Sequence, residues 1–192
     1  MAPLKNVYID TNVLLAAHMP EDPFYESSRK IYTKLGVDYI GYISPLSLVE
    51  IAGVVSKRMQ DIRLELVADG IRESFKALSQ RERARLIAYK ILSKEGLNIF
   101  HVPGDVTLDM FMTKVSMPTI LSHALSHALQ LGLRAFDAYH FATAYDLTQI
   151  YRTPLSFFTS NDRHFLELKR EIEKALNLIV ASSTEFVTLE GL

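Results

Sequence analysis

Five short apolar runs punctuate this 192-residue chain, at about 4–9, 38–43, 97–102, 155–159 and 177–181. Each is rich in β-branched or aromatic residues and reads as a buried strand. Helical patterns fill the intervals. "DPFYESSRKIYTKLG" (22–36) closes on a glycine stop. "SPLSLVEIAGVVSKRM" (44–59) opens with Ser44 as an N-cap and Pro45 at the first helical position. Strands alternating with helices predict an α/β fold in which a mostly parallel central sheet carries helices on both faces. With 48% apolar residues the chain can bury one sizeable core, and its length suits a single domain over 1–192.

The interval 57–95 differs in character. It is almost free of glycine and holds ten basic residues against six acidic ones, a local excess of +4 in a chain whose formal net charge is −1. It reads as a helical insertion, a pair of helices joined near Leu78-Ser79-Gln80. Such a hairpin is either a solvated face laced with ion pairs or a basic flank for a phosphate backbone. The near-neutral whole excludes a generally polycationic nucleic-acid binder, so any such contact must be local. No cysteine is present, which excludes disulfides and thiolate chemistry and fits a reducing, cytoplasmic setting. No secretion signal is expected at the start, where Asp10 and Asn12 interrupt the apolar stretch. Residues 115–133 carry no formal charge, but Leu121, Leu125, Ala128 and Leu129 share one helical face while Ser122, His123, Ser126, His127 and Gln130 share another. An amphipathic helix of a soluble domain is expected there, and no membrane span.

Four carboxylates stand alone in apolar surroundings. Asp10 is the only charged residue between Lys5 and Glu21. Glu50 is the only one between Asp38 and Lys57, in mid-helix. Asp137 is the only one between Arg134 and Asp146, at the front of "FDAYHFATAY", and Asp162 follows the apolar "PLSFFTSN". Carboxylates are costly to bury unless a cation or several donors compensate them. Taken singly, Asp10 and Asp137 could be N-caps and Asp162 a turn residue. Taken together, four such groups point to one shared hard cation held by oxygens. Asp10 and Asp162 follow parallel strands, whose ends open on the same edge of the sheet, where open α/β folds place their sites.

At these places the sequence resembles the PIN domain family, and within it the VapC-type toxin ribonucleases. The resemblance rests on "YIDTNVLL", on the acid in "SPLSLVEIAGVV", on "RAFDAYHFATA", and on "FFTSNDRHF" after a hydroxyl-bearing strand end. Ser160 stands where threonine is commoner in the family, with Thr159 beside it. The resemblance implies a three-layer α/β/α PIN-like fold and a metal-dependent endoribonuclease that hydrolyses RNA phosphodiester bonds. It implies Mg²⁺ or Mn²⁺ held by Asp10, Asp137 and Asp162, with Glu50 completing the cluster or binding a second ion. Thr11, Asn12, Ser160 and Thr159 would orient water and carboxylates, and Arg134 and Arg163 would hold the RNA backbone. It further implies a small antitoxin protein as partner and a homodimer.

Other readings remain open at the level of sequence. His123 and His127 have the spacing of a zinc pair but lack the glutamate of the HExxH pattern. His140 and His164 lie near two of the acids, as local hydrogen-bond partners or as substrate contacts. A PIN-type fold could bind RNA or assemble with it without cutting. A phosphatase-like hydrolase could use Asp10 as nucleophile, although Asn12 stands where that chemistry wants a second acid.

Overall fold

The computed structural model describes residues 3–63, 75–110 and 113–192. Five strands form one sheet in the order β3-β2-β1-β6-β7, with every pairing parallel. They are β1 (Lys5–Ile9), β2 (Tyr39–Ile43), β3 (Leu97–Ile99), β6 (Phe157–Thr159) and β7 (Ile179–Ala181). β1 lies at the centre, where both edges are paired, and its Val7, Tyr8 and Ile9 are fully buried. Successive side chains on a strand point to opposite faces, so these three residues divide between two cores. Val7 and Ile9 join Phe157 and Ala181 on one face, under α1 (Thr11–Ala16), α2 (Tyr25–Lys34), α3 (Leu46–Arg58), α4 (Gln80–Leu92) and α9 (Ser183–Glu190). Tyr8 joins Phe158 and Val180 on the other, under α5 (Thr119–Leu131), α6 (Ala135–Tyr145), α7 (Arg163–Glu167) and α8 (Lys169–Leu176). The result is the three-layer α/β/α arrangement, a mixed α/β fold with a central parallel sheet flanked by helices.

The chain leaves β1 toward β2 and β3, then returns to add β6 and β7 on the opposite side. The strand order therefore switches beside β1, and a crevice opens at the carboxyl ends of β1 and β6. The glycine expected to stop α2 lies beyond it: the helix ends at Lys34, Leu35 is already extended, and the Gly36 N–H goes to the Tyr39 carbonyl rather than back to the helix. Gly36 has φ +80°, in the left-handed region. Gly96, with φ +77°, passes so close that a Cβ on it would lie 2.2 Å from the Gly36 amide nitrogen.

Several expectations need correction. β4 (Asp105–Met110) and β5 (Thr113–Pro118) pair as antiparallel strands that the five expected strands do not include. The uncharged stretch 115–133 is thus a strand followed by a helix that begins at Thr119. On α5 the buried residues are Ile120 and Ala124, whereas Leu121, Leu125 and Leu129 are exposed. Within the charge-rich interval, residues 64–74 lie outside the described residues. Arg58 still belongs to α3, and α4 begins just past Ser79, which forms a reciprocal capping box with Glu82. Ile87 and Ile91 of α4 are buried against the core that holds Ile51 and Val55 of α3, so this helix is not merely a solvated face. Ser44 makes no side-chain cap at α3; its hydroxyl turns instead to His140. Among the described residues, no helix is long and apolar enough to cross a membrane.

Candidate functional site

Asp10 follows β1 and is only 5% exposed. Its carboxylate makes no cap bond to α1. Instead Oδ2 accepts from Ser160 Oγ at 2.6 Å and from Asn12 Nδ2 at 2.7 Å. Ser160 Oγ also accepts the Asp162 N–H at 3.0 Å, and Asn12 Oδ1 accepts the Asn161 N–H at 2.9 Å. These bonds tie the loop after β1 to the loop after β6 and so fix Asp10 relative to Asp162. Asp162 caps α7, taking the His164 N–H on Oδ1 at 2.7 Å. The His164 ring reaches the other way, placing Nδ1 2.9 Å from Asp137 Oδ2. One histidine thereby links two acids, through its backbone and through its side chain. Asp137 lies in the first turn of α6, whose N-cap position is held by Arg134.

Glu50 occupies the middle of α3. Its Oε2 takes the Thr11 hydroxyl and lies 2.9 Å from His140 Nε2. The same nitrogen is 3.8 Å from Asp10 Oδ1. On the other side of the ring, Nδ1 meets Tyr8 Oη at 3.0 Å and Ser44 Oγ at 3.2 Å. Burial would push the His140 pKa down, but the Glu50 hydrogen bond and the charges of Asp10, Glu50 and Asp137 outweigh it, and the pKa is raised. Glu50 is the mirror case. Burial pushes its carboxyl up, while the His140 hydrogen bond and charge, with the Thr11 hydroxyl, bring it below the ordinary value. For Asp10 burial wins over His140 and Ser160, and its pKa is raised. A buried imidazole, its pKa held up by the acids, thus sits between two of the carboxylates. The sequence points to His140 as a local hydrogen-bond partner or a substrate contact; the structure shows the first, with Glu50 rather than its sequence neighbour Asp137 as the acid it bonds.

Asp10, Glu50, Asp137 and Asp162 line one cleft of about 490 Å³, together with Thr11, Asn12, Leu15, Val49, Gly53, Val54, Lys57, Arg58, Phe136 and His140. A groove of about 630 Å³ between α3 and α4 is larger, but Ala52, Ala84, Ala88, Arg81 and Arg85 line it and no carboxylate does. Chemistry rather than volume selects the acid-lined cleft. The other expected residues are less central. The Thr159 hydroxyl is buried without a hydrogen-bond partner in the structure, and its carbonyl accepts the Asp10 N–H. Arg134 and Arg163 do not line the cleft, and Arg163 pairs with Glu167 at 2.7 Å. Lys57 and Arg58, cations the sequence left among the insertion's basic residues, do line it.

No hydrogen bond from a described residue reaches Glu50 Oε1, Asp137 Oδ1 or Asp162 Oδ2. Each of these carboxylates has one oxygen oriented by the protein and one turned to other use, the pattern by which outer partners orient ligands. Among the described residues, no three His, Asp or Glu side chains form a ready-made metal cage. The all-oxygen donor set nonetheless suits a hard cation such as Mg²⁺, which keeps several waters and takes only one or two carboxylates directly. The possible zinc pair fails on the same ground. His123 Nδ1 is held by Asp146, at 2.8 and 2.9 Å from its two oxygens, and His127 packs against the rings of Phe141 and Tyr145.

Residues 7–111 match the model of the PIN domain family, a segment that includes Asp10 and Glu50 and stops short of Asp137 and Asp162. No curated protein matches the chain.

Proposed function

The chain belongs to the PIN domain family, a nuclease-type fold, and from that premise we propose that it is a metal-dependent endoribonuclease, the toxin of a VapBC-type toxin–antitoxin pair. The observation that carries this reading is that four solitary carboxylates, drawn from four separate stretches of chain, line one cleft at the carboxyl ends of β1 and β6. Asp10, Asp137 and Asp162 would hold Mg²⁺ or Mn²⁺ directly or through water, with Glu50 completing the cluster. The ion supplies charge neutralisation at the scissile phosphate and acidification of water. The residues supply the rest. Ser160 and Asn12 hold the Asp10 carboxylate in one orientation, and Thr11 and His140 do the same for Glu50. His140 offsets the repulsion between Asp10 and Glu50, so that both stay in place while a polyanion approaches. In-line hydrolysis of an RNA phosphodiester needs no covalent enzyme intermediate from this set. The toxin reading carries with it a protein antitoxin covering the acids and a homodimer.

The test is cleavage of a mixed RNA panel with Mg²⁺, Mn²⁺ or EDTA, comparing wild type with Asp10→Asn. Cleavage that needs the ion and falls by roughly a hundredfold or more in the variant is the expected result, given the size of preorganised electrostatic effects. Absence of both cleavage and Mn²⁺ binding in the wild type would sink the reading and favour a non-cleaving RNA-binding protein.

A further inference from the structure

Beyond Glu50 the cleft continues along α3. Glu50, Gly53, Val54, Lys57 and Arg58 recur at three- and four-residue spacing, so they form one stripe of the helix. The stripe runs from an acid to two cations over about 10 Å. Its middle is a glycine. A glycine inside a helix weakens it, and here no described residue calls for one, because a Cβ at Gly53 would meet none of their atoms within 4 Å. The bare backbone faces the cleft. The same cleft is lined by Phe136, 59% exposed and next in sequence to Asp137. Val49, 67% exposed, holds the corresponding place beside Glu50. Two apolar side chains left in water thus flank the acids. Among the described residues Lys57 has no ion pair, and Arg58 Nε is 2.8 Å from Asp61 Oδ2.

We propose that this stripe is the track of an unpaired RNA strand: a base stacks on Phe136, the sugar-phosphate backbone passes close over Gly53, and Lys57 with Arg58 holds the next phosphate. The inference rests on the nuclease reading and deepens it. Stacking selects an unpaired strand, since each base has a face to offer an aromatic ring only when it leaves its own stack. The cations complement phosphate where the acids would repel it, so the strand is held on both sides of the site.

The experiment uses the full chain and a short labelled oligoribonucleotide of mixed sequence, alone and annealed to its complement. Binding is read by fluorescence anisotropy in EDTA and in Ca²⁺, with cleavage followed in parallel in Mg²⁺. Wild type should favour the single strand. Phe136→Ala should weaken binding by about five- to a hundredfold, the range of one stacked base, and Phe136→Trp should restore it. Gly53→Ala should weaken binding while raising the melting temperature, a pairing that a merely structural role would not produce. Unchanged binding in Phe136→Ala and Gly53→Ala, equal binding of the duplex, or no binding by wild type in either buffer would overturn the track. Binding that depends on both residues in a protein that cuts nothing would uphold the track and overturn the nuclease reading instead.

Discussion

Replacing His140 with leucine should expose the electrostatic debt of the acidic cleft. His140 is 2% exposed, and its Nε2 lies 2.9 Å from Glu50 Oε2 and 3.8 Å from Asp10 Oδ1. Leucine keeps most of the volume but leaves both carboxylates without their cation. Breaking a buried ion pair from one side destabilises by about 3–5 kcal/mol, and Glu50, whose side chain is 22% exposed, draws the value toward the lower figure. Loss of a partner for the Tyr8 and Ser44 hydroxyls adds about 1 kcal/mol each. Together these come to about 5 kcal/mol, and in a domain of this size, where 1 kcal/mol corresponds to about 2–4 °C, the melting temperature should fall by about 10–20 °C. The loss should also depend on pH. The folded-state pKa of His140 is raised above the ordinary 6.5. Its stabilisation is therefore full below the unfolded value and fades as pH rises through the folded one. Calorimetric melts of metal-free protein at about pH 6 and about pH 9, above the range where most carboxylates titrate, should show a larger gap between wild type and variant at the lower pH. A gap under about 3 °C, or one equal at both pH values, would refute a charged His140.

Two further substitutions probe the scaffold and the site separately. Gly96→Ala forces a side chain into the left-handed region and sets its Cβ 2.2 Å from Gly36 N, so urea melts should show a loss of about 3 kcal/mol or more; a loss below about 1 kcal/mol would mean that the crossing yields easily. Ser160→Ala removes the 2.6 Å bond to Asp10 and the acceptor for the Asp162 N–H. Mn²⁺ affinity measured by titration calorimetry should drop by about 10–100-fold, with Ser160→Thr recovering part of it; unchanged affinity would mean that Asp10 orients itself.

Much of this was legible in the residues. The inner strands β1 and β6 appear in the apolar runs because parallel strands buried on both faces read as continuous hydrophobic segments, while the edge strand β3, with Ile99 45% exposed, is read from its apolar residues alone. The four acids were legible for the converse reason, since nothing in their neighbourhoods accounts for them. The antiparallel pair of β4 and β5 was not, because its alternation of Val106, Leu108, Val115 and Met117 with polar residues belongs to a ribbon lying outside the main sheet. The orientation of α5 was hidden too. Its histidines turn inward because Asp146 and the rings of Phe141 and Tyr145 await them, which is tertiary information that no helical wheel holds. Likewise Ser44 looked like a cap, and only the placement of α6 makes it a neighbour of His140.

The strand order sets a timetable for synthesis. β1 is made well before its neighbour β6, and the Ser160 that grips Asp10 comes 150 residues after it. At ordinary translation speeds that is a wait of about 8–30 s. Throughout it, one edge of the central strand stays open to adventitious pairing. The acid-lined cleft, assembled from both ends of this stretch, stays incomplete until β6 docks. The same long separation that delays the site leaves a strand edge of the growing chain exposed for that whole interval.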